Sequence, residues 1–452
     1  MNSRELVLNA LQCKEVDRSP WVPFVGCHAA KLIGADCGSY FQNEDMIVEG
    51  VKKAYELYNP DGLPTLFDLQ LEAEAMGCGL TYAKENPPAV STHVLEDGAK
   101  LEDLKIPTEN DGRFPMALNA TRRIVAELGD KMAVYGLITG PFTLALHLKG
   151  TDIFYDMIDE PEEVEVLMEF CQKVAIQTAK MYIDAGVDIV ALVDPMTSQI
   201  SPSNFEDFVA PYCREVFDYI HSRGKLGSMF VCGDATRNIE PMCQIHCDNL
   251  SVDENCDLQY VVDTAKKYNV SVGGNIKLTL TMLFGTPYDN MQDAQECMQI
   301  GGHKGFILAP GCDMPYATPE ENVIAVTKTV HGDIADIFDG GNVMDGVEYE
   351  LPDYEKSEKV IIDCITLDSL ACAACQYNME AVYAAAEPVK DKVEIIEHKI
   401  KEKEGVVCMI KLGATQVPTI CVDGVVKYSS ILPDTSELTA CFVEAVEKKF
   451  GK

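Results

Sequence analysis

Short apolar runs alternate with helix-like stretches over residues 1–331, and this alternation constrains the fold more than any other feature. In the helix-like stretches the apolar residues recur three and four positions apart. Eight runs predict strands, at Trp21–Val25, Leu63–Phe67, Ala133–Thr139, Val187–Val193, Leu226–Val231, Asn249–Val252, Val270–Gly273 and Gly305–Ala309. Strands that alternate with helices in this way are typical of parallel α/β proteins, and eight of them favour a (β/α)8 TIM-type barrel.

The charge balance and the apolar pattern exclude two classes of partner. The chain carries 72 acidic against 37 basic residues, a formal net charge of -35. Such a surface repels nucleic acid and anionic lipid, so we expect neither as a partner. No signal peptide follows Met1, and the longest uncharged stretch, Met132–Leu148, is short and broken by Gly140-Pro141. We therefore predict a cytoplasmic protein without a membrane span.

The composition and the apolar periodicity of the sequence change after the predicted barrel. Residues 332–358 are rich in acidic residues and glycine and show no periodicity, so we interpret them as an acidic linker. Residues 359–452 return to short strand and helix patterns and predict a second, small α/β domain. In it Cys372-Ala-Ala-Cys375 stands where a helix begins. A helix N-terminus lowers the pKa of the first thiol, and the second thiol can close a disulfide on it.

The small domain resembles the thioredoxin/glutaredoxin-like family. The resemblance rests on the order of its elements, on the Cys372/Cys375 motif and on the segment Gln416–Gly424. It implies a redox-active cysteine pair faced by a cis-proline loop at Pro418. The tryptophan that precedes the first cysteine in thioredoxin is replaced by Ala371. A purely structural cysteine pair and a metal-binding pair are the alternatives, and we favour redox activity.

Two cysteines follow strands of the predicted barrel. Cys232 comes after Leu226–Val231, and Cys312 comes after Gly305–Ala309. Because the carboxyl ends of barrel strands share one rim, both thiols are expected on that rim. Thiolates are good zinc ligands, so a shared zinc site is one interpretation and two ordinary buried cysteines are the other. Further ligands could come from five residues of the same rim: His28, Asp234, Cys243, His246 and Glu254.

Polar residues at other strand ends could position a substrate. We single out Asp194, Asp253 and Asn275 as candidate catalytic residues, with Asp68 and Glu72 as further candidates on the same rim. Helix caps and ion pairs use the same residue types, so a structural role is the alternative for each of them.

The barrel region resembles the uroporphyrinogen decarboxylase superfamily. The resemblance is carried by segments that cover almost all of residues 1–331: Arg4–Leu11, Asp17-Arg18 with Pro20, Gly140–Ala145, Ala185–Asp188, Ser201-Pro202 with Pro211-Tyr212, and Gly274–Ile276. Its decarboxylases hold the substrate carboxylates with an arginine-rich N-terminal segment. The corresponding segment here, Trp21–Gly38, contains no arginine.

The other branch of that superfamily comprises cobalamin-dependent methyltransferases of the methylcobamide:coenzyme M type. Cys232-Gly233 and Pro310-Gly311-Cys312 are similar to the cysteine positions of its zinc motif, but the motif's histidine falls at Phe230. The resemblance implies a zinc that holds the acceptor as a thiolate and a methylcobalamin carried by a separate corrinoid protein. With Phe230 in place, another residue completes the site, the acceptor supplies a ligand, or zinc binds weakly or not at all.

Together these patterns predict a corrinoid-dependent methyltransferase fused to a redox module. The methyl group would move between a corrinoid protein and a thiol or another small acceptor. The module would keep Cys232 and Cys312 reduced or handle a thiol acceptor. The alternatives are a decarboxylase of the uroporphyrinogen type and a non-catalytic adaptor that binds a corrinoid or a metal.

Overall fold

The computed structural model describes residues 1–335, 337, 347, 349–370 and 372–451. The chain divides into two compact units, residues 1–341 and 342–452. Within the predicted linker, residues 336, 338–346 and 348 lie outside the described residues. None of the described helices is both long enough and apolar enough to cross a membrane.

A parallel seven-stranded sheet forms the centre of the first unit. In spatial order its strands are β1 (Gly62–Pro64), β4 (Ala133–Thr139), β5 (Ile189–Val193), β6 (Leu226–Val231), β7 (Asn249–Val252), β8 (Ser271–Ile276) and β9 (Phe306–Pro310). Neighbouring strands pair in register, for example Thr139 with Val193 and Val193 with Phe230. A separate antiparallel pair, β2 (Leu80–Thr81) and β3 (Ala89–Val90), lies between β1 and β4 in the chain.

The segment predicted as the first strand bridges the two edges of this sheet. Val22 N donates to the Leu308 carbonyl at 3.0 Å, and Asp61 N donates to the Trp21 carbonyl at 2.8 Å. The segment forms an isolated bridge and not a regular strand. Pro20 and Pro23 flank these contacts, and proline has no N–H to donate to a ladder. The bridge therefore joins β9 to the residues that lead into β1, as a TIM-like barrel requires.

Helices follow the strands as the alternation predicts. The helices of the first unit are Ser3–Leu11, Gly26–Leu32, Cys37–Tyr40, Glu44–Tyr58, Leu71–Ala75, Phe114–Leu128, Pro141–Lys149, Ile153–Asp159, Pro161–Ala185, Pro202–Phe208, Ala210–Ser222, Ile239–Met242, Leu258–Tyr268, Pro287–Gly301 and Glu320–His331. Short 3-10 turns occur at Leu101–Asp103, Gly150–Asp152, Pro195–Gln199 and Thr236–Asn238, and Leu278–Leu283 is a π-helix.

The interior of the barrel is an apolar cluster. Val193 and Phe230 from the strands and Leu6 and Leu11 from the first helix belong to it, and all four are buried. Cys232 and Cys312 are only partly buried and pack against this cluster. The barrel is therefore a packed core, and chemistry is confined to its rim.

The second unit contains a four-stranded sheet in the order β11 (Val393–Lys399), β10 (Val360–Thr366), β12 (Thr419–Val422) and β13 (Val425–Ser429). β10 runs parallel to β11 and antiparallel to β12, which is antiparallel to β13. Its helices are Ala373–Ala386, Lys403–Leu412 and Thr435–Phe450, with a 3-10 turn at Glu387–Lys392.

Part of the predicted linker packs onto this second unit. The Tyr354 hydroxyl donates to Asp363 at 2.9 Å, and Lys449 Nζ donates to the Tyr354 carbonyl at 2.8 Å. Asp363 is fully buried in β10 and also bonds His398 Nε2 at 2.8 Å. Residues near Tyr354 therefore belong to the packing of the small unit.

Candidate functional site

The two barrel cysteines lie next to each other at the carboxyl ends of their strands. Cys232 directly follows β6, and Cys312 lies two residues beyond β9. Their Sγ atoms form a disulfide, with the two Cα atoms 5.8 Å apart across a sequence separation of 80 residues. This Cα spacing is within the ordinary range for a disulfide. The structure therefore brings together the pair that was predicted to share one rim site.

Glycines beside both cysteines allow the two turns to approach. Gly233 has φ +88°, and a Cβ atom there would lie 2.8 Å from Ser198 Oγ. A Cβ atom at Gly311 would lie 2.6 Å from the backbone nitrogen of Glu254. The backbone contact excludes a larger residue at Gly311 unless the backbone moves, and the positive φ favours glycine at position 233.

Aromatic rings fill the space beneath the cysteine pair. Phe230 is fully buried, and its ring centroid lies 4.6 Å from that of Phe24 and 5.7 Å from that of Phe67. Phe230 therefore belongs to the apolar floor of the rim, at the position where the resemblance would require a metal-binding histidine.

The residues present do not fit a zinc site. A catalytic zinc site needs about three protein ligands, and two sulfurs bonded to each other are not thiolate ligands. Among the described residues, no group of three or more His, Cys, Asp or Glu side chains could hold a metal ion. We therefore derive no chemical step through zinc.

Four of the five predicted additional ligands, all except Glu254, have other surroundings. His28 is fully buried, and its Nε2 lies 2.6 Å from the Tyr58 hydroxyl; burial lowers its pKa to about 4. His246 pairs with Asp218 at 2.8 Å on an exposed surface, and Cys243 is buried. Asp234 accepts a hydrogen bond from Thr236 N at 3.0 Å.

Two adjacent carboxyl groups, Asp253 and Glu254, follow β7; Asp253 is buried and Glu254 is partly buried. The Asp253 carboxylate accepts a hydrogen bond from Asn255 N at 2.9 Å, and the Glu254 carboxylate accepts one from Leu278 N. Burial, and next the neighbouring charge of Asp253, raise the pKa of Glu254 to about 8; burial also raises the pKa of Asp253. A carboxyl group with such a pKa can exchange a proton near neutral pH.

Asp194 binds the start of a helix. It is fully buried, and its carboxylate accepts hydrogen bonds from Phe142 N at 3.1 Å, Thr143 N at 2.8 Å and Thr143 Oγ1 at 2.6 Å. Burial raises its pKa to about 6, although these hydrogen bonds favour the charged form. The structure thus gives Asp194 a capping position, and its catalytic role stays a prediction.

Asn275 holds the turn that follows β7. Its Nδ2 donates to the carbonyls of Asp253 and Cys256, at 3.0 Å each. The amide therefore fixes the backbone next to the carboxyl groups of Asp253 and Glu254, and a direct role in chemistry stays a prediction.

Sequence reasoning missed one residue near the end of β1. Arg113 bonds Asp68 Oδ2 at 2.5 Å, Glu74 Oε2 at 2.6 Å and the Phe41 carbonyl at 2.8 Å. Arg113 lies about forty residues from both acids in the chain and outside any strand-end motif. Its charge is therefore the only signal in the sequence that could have pointed to it. It neutralises the Asp68 carboxylate, which is fully buried.

The cysteine motif of the second unit lies at a helix N-terminus. Cys372 is the N-cap of Ala373–Ala386 and is partly exposed, whereas Cys375 is fully buried. Leu367 N lies 3.3 Å from Cys375 Sγ, and burial followed by the neighbouring Cys372 raises the pKa of Cys375. The peptide bond between Val417 and Pro418 is cis. The Cys372 thiol is therefore accessible, and the Cys375 thiol is enclosed.

Residues 2–332 match the family described as uroporphyrinogen decarboxylase (URO-D). This match covers most of the chain. The chain belongs to the uroporphyrinogen decarboxylase family. The part of the chain after residue 332 lies outside the match.

Curated relatives within the uroporphyrinogen decarboxylase family include two kinds of enzyme. Methylcobamide:CoM methyltransferase MtbA of Methanosarcina acetivorans is 26% identical over 71% of this chain and 95% of that protein. A uroporphyrinogen decarboxylase of Synechococcus is 24% identical over 62% of this chain and 81% of that protein. A solved structure described as a methyltransferase from Methanosarcina mazei has a TM-score of 0.68 at 23% identity, covering 74% of this chain and 100% of that one. It shows that the barrel is of the TIM-like type.

Proposed function

We propose that the barrel transfers a methyl group between a methylcorrinoid protein and a small thiol. The observation that carries this proposal is the similarity to MtbA over 95% of that protein's length. The name "methylated-thiol--coenzyme M methyltransferase", given to a Methanosarcina mazei relative 26% identical over 63% of this chain, supports a thiol as the acceptor. The segment Trp21–Gly38, without arginine, offers no guanidinium to the carboxylates of a porphyrinogen.

The rim supplies what such a transfer needs from the protein. The corrinoid partner would supply the methyl group, and an acceptor thiol must lose its proton before its sulfur can attack. The Phe24, Phe67 and Phe230 rings form a water-excluding floor beneath the rim. Such a floor keeps water away from the reacting sulfur.

For the second unit we propose a thioredoxin-like dithiol–disulfide module. Four features support this: the order β11-β10-β12-β13, a helix that starts at the Cys372/Cys375 motif, the exposed–buried asymmetry of the two thiols, and the cis Val417–Pro418 peptide. No tryptophan precedes Cys372, so the protein partners are expected to differ from those of thioredoxin.

An anaerobic assay with free methylcobalamin tests the proposed barrel activity. The full chain, fully reduced beforehand by a phosphine that is then removed, is mixed with methylcobalamin and 2-mercaptoethanesulfonate or methanethiol. We expect enzyme-dependent demethylation of the cobalamin, with the methylated thiol as product. Spectrophotometry follows the demethylation of the cobalamin, and mass spectrometry identifies the methylated thiol.

A matched assay separates this proposal from the decarboxylase alternative. The same enzyme preparation is incubated with uroporphyrinogen, and released carbon dioxide is measured. Decarboxylation without methyl transfer to any tested thiol, from free methylcobalamin or from a methylcorrinoid protein, would contradict the proposal.

A further inference from the structure

We propose that Cys232 and Cys312 form a reversible dithiol–disulfide pair at the barrel rim, and that the Cys372/Cys375 dithiol of the same polypeptide reduces it. The first half of this proposal is independent of methyl transfer. The second half rests on the redox role proposed for the small unit.

The two barrel sulfurs are placed for a bond to each other and, among the described residues, not for a metal. Cys232 and Cys312 are bonded to each other, and both turns are fixed by the ends of β6 and β9. Phe230 fills the position of the expected third metal ligand. Two thiols that are held together without a metal-binding set are chemically a redox pair.

The cysteines of the chain differ in their accessibility to solvent. Of the 18 cysteines, 13 are buried and are not part of a disulfide. The partly exposed ones are Cys232, Cys312, Cys13, Cys372 and Cys441. Burial also raises the pKa of thiols such as Cys171 and Cys213, which keeps them protonated and unreactive. Cys13 is also partly exposed, but Cys232 and Cys312 form the one disulfide among the described residues, so thiol exchange in the first unit is directed to their bond.

The reductant is identified by the geometry of the second unit. Cys372 is partly exposed at a helix N-terminus, where the helix dipole favours a thiolate. Cys375 is enclosed behind it and receives the Leu367 N–H. An exposed attacking thiol with an enclosed resolving thiol is the arrangement that reduces an accessible disulfide.

The exchange balances in two steps. The Cys372 thiolate attacks one sulfur of the Cys232–Cys312 bond, which forms a mixed disulfide and releases the other barrel sulfur as a thiolate. Cys375, after losing its proton, attacks Cys372 Sγ, which closes the Cys372–Cys375 disulfide and releases the second barrel thiolate. Two electrons and two protons pass from the small-unit dithiol to the barrel disulfide, and an external dithiol restores the module.

Disulfide mapping of the full chain tests the barrel half. Wild-type protein is oxidised with diamide, its remaining thiols are alkylated, and its peptides are identified by mass spectrometry. We expect a linked peptide that contains Cys232 and Cys312, and we expect its loss after reduction with dithiothreitol. Full alkylation of Cys232 and Cys312 after diamide would overturn this half.

Trapping with Cys375→Ser tests the reductant half. This variant cannot resolve a mixed disulfide, so we expect a peptide that links Cys372 to Cys232 or Cys312, and its loss in Cys372→Ser/Cys375→Ser. Cys375→Ser/Cys441→Ser is the matched control, because Cys441 is the other partly exposed cysteine of the unit, and it should keep the linked peptide.

The reductant half would be overturned if the Cys232–Cys312 bond forms but Cys372 never links to either cysteine. Neither result depends on a methyl-transfer assay, so failure of the proposed barrel activity would remain a separate finding. Failure of the proposed module activity would show itself separately, as a wild-type chain in which diamide never links Cys372 to Cys375.

Discussion

Glu72 is a buried carboxyl group whose protonation depends on two opposing effects. The Thr139 backbone N–H donates to Glu72 Oε1 at 3.1 Å, and the Thr139 hydroxyl donates to Oε2 at 2.8 Å, so both favour the charged form. The same hydroxyl oxygen lies 2.7 Å from the Leu69 carbonyl, which competes for its single hydrogen. Burial is the larger effect and raises the pKa of Glu72 to about 7.

The resulting prediction concerns stability and pH. Between about pH 4.5 and 7 the unfolded chain loses the Glu72 proton while the folded chain keeps it, so this group makes the unfolding free energy fall as pH rises. The total is about 3 kcal/mol, from about 1.4 kcal/mol per pKa unit. In Glu72→Gln, whose amide can make the same contacts, this decline is absent.

Urea unfolding of wild type and Glu72→Gln at about pH 4.5, 6 and 8 measures this difference. The variant should gain stability relative to wild type as pH rises through the window. Parallel pH curves for the two proteins would show that Glu72 keeps an ordinary pKa in the fold.

At the scale of elements, the helix Pro141–Lys149 depends on an acid from another strand end. Its N-cap, Gly140, has no side chain to bond the first N–H groups, and Asp194 accepts from Phe142 N and Thr143 N instead. A Cβ atom at Gly140 would lie 2.3 Å from Asp194. The glycine and the acid therefore form one capping unit between β4 and β5.

We predict that Asp194→Ala lowers the unfolding free energy by about 2–4 kcal/mol, because it leaves buried N–H groups unpaired. Asp207→Ala is a matched control, since Asp207 is exposed on a helix and its loss should change stability by less than about 0.5 kcal/mol. Denaturant unfolding compares the two variants. An Asp194→Ala protein with wild-type stability and no activity would instead assign Asp194 a catalytic role.

The elements themselves were largely predictable, because each strand is a continuous apolar run between turn residues. Ala133–Thr139, Leu226–Val231 and Asn249–Val252 coincide with their predicted bounds. The prediction that Trp21–Val25 forms a regular strand was wrong. Pro20 and Pro23 interrupt the hydrogen-bond ladder, so the segment makes only an isolated bridge.

The site was less predictable than the elements. The shared rim of Cys232 and Cys312 was predictable, because each cysteine follows a strand and the carboxyl ends of parallel strands lie at the same edge of the sheet. The ion-pair cluster around Arg113 and the caps made by Asp194 and Asn275 depend on contacts between residues distant in the chain. Such contacts leave no local pattern, so polar residues at strand ends could not be sorted into structural and chemical ones from spacing alone.

At the scale of the whole molecule, a uroporphyrinogen decarboxylase-family barrel and a cysteine-bearing module share one chain. Each unit carries its own sulfur groups: the barrel has a rim disulfide, and the module has a partly exposed and an enclosed thiol. The rim cysteines are accordingly proposed to be a redox pair and not metal ligands.

The zinc content of the fully reduced chain tests that claim most directly. Wild type and Cys232→Ser/Cys312→Ser are reduced anaerobically, incubated with Zn²⁺, dialysed and analysed for metal, and Cys372→Ser/Cys375→Ser serves as the control for zinc held by the module. We predict that wild type and the barrel variant hold the same amount of zinc. About one zinc per chain that is lost in the barrel variant, and kept in the module variant, would contradict the account.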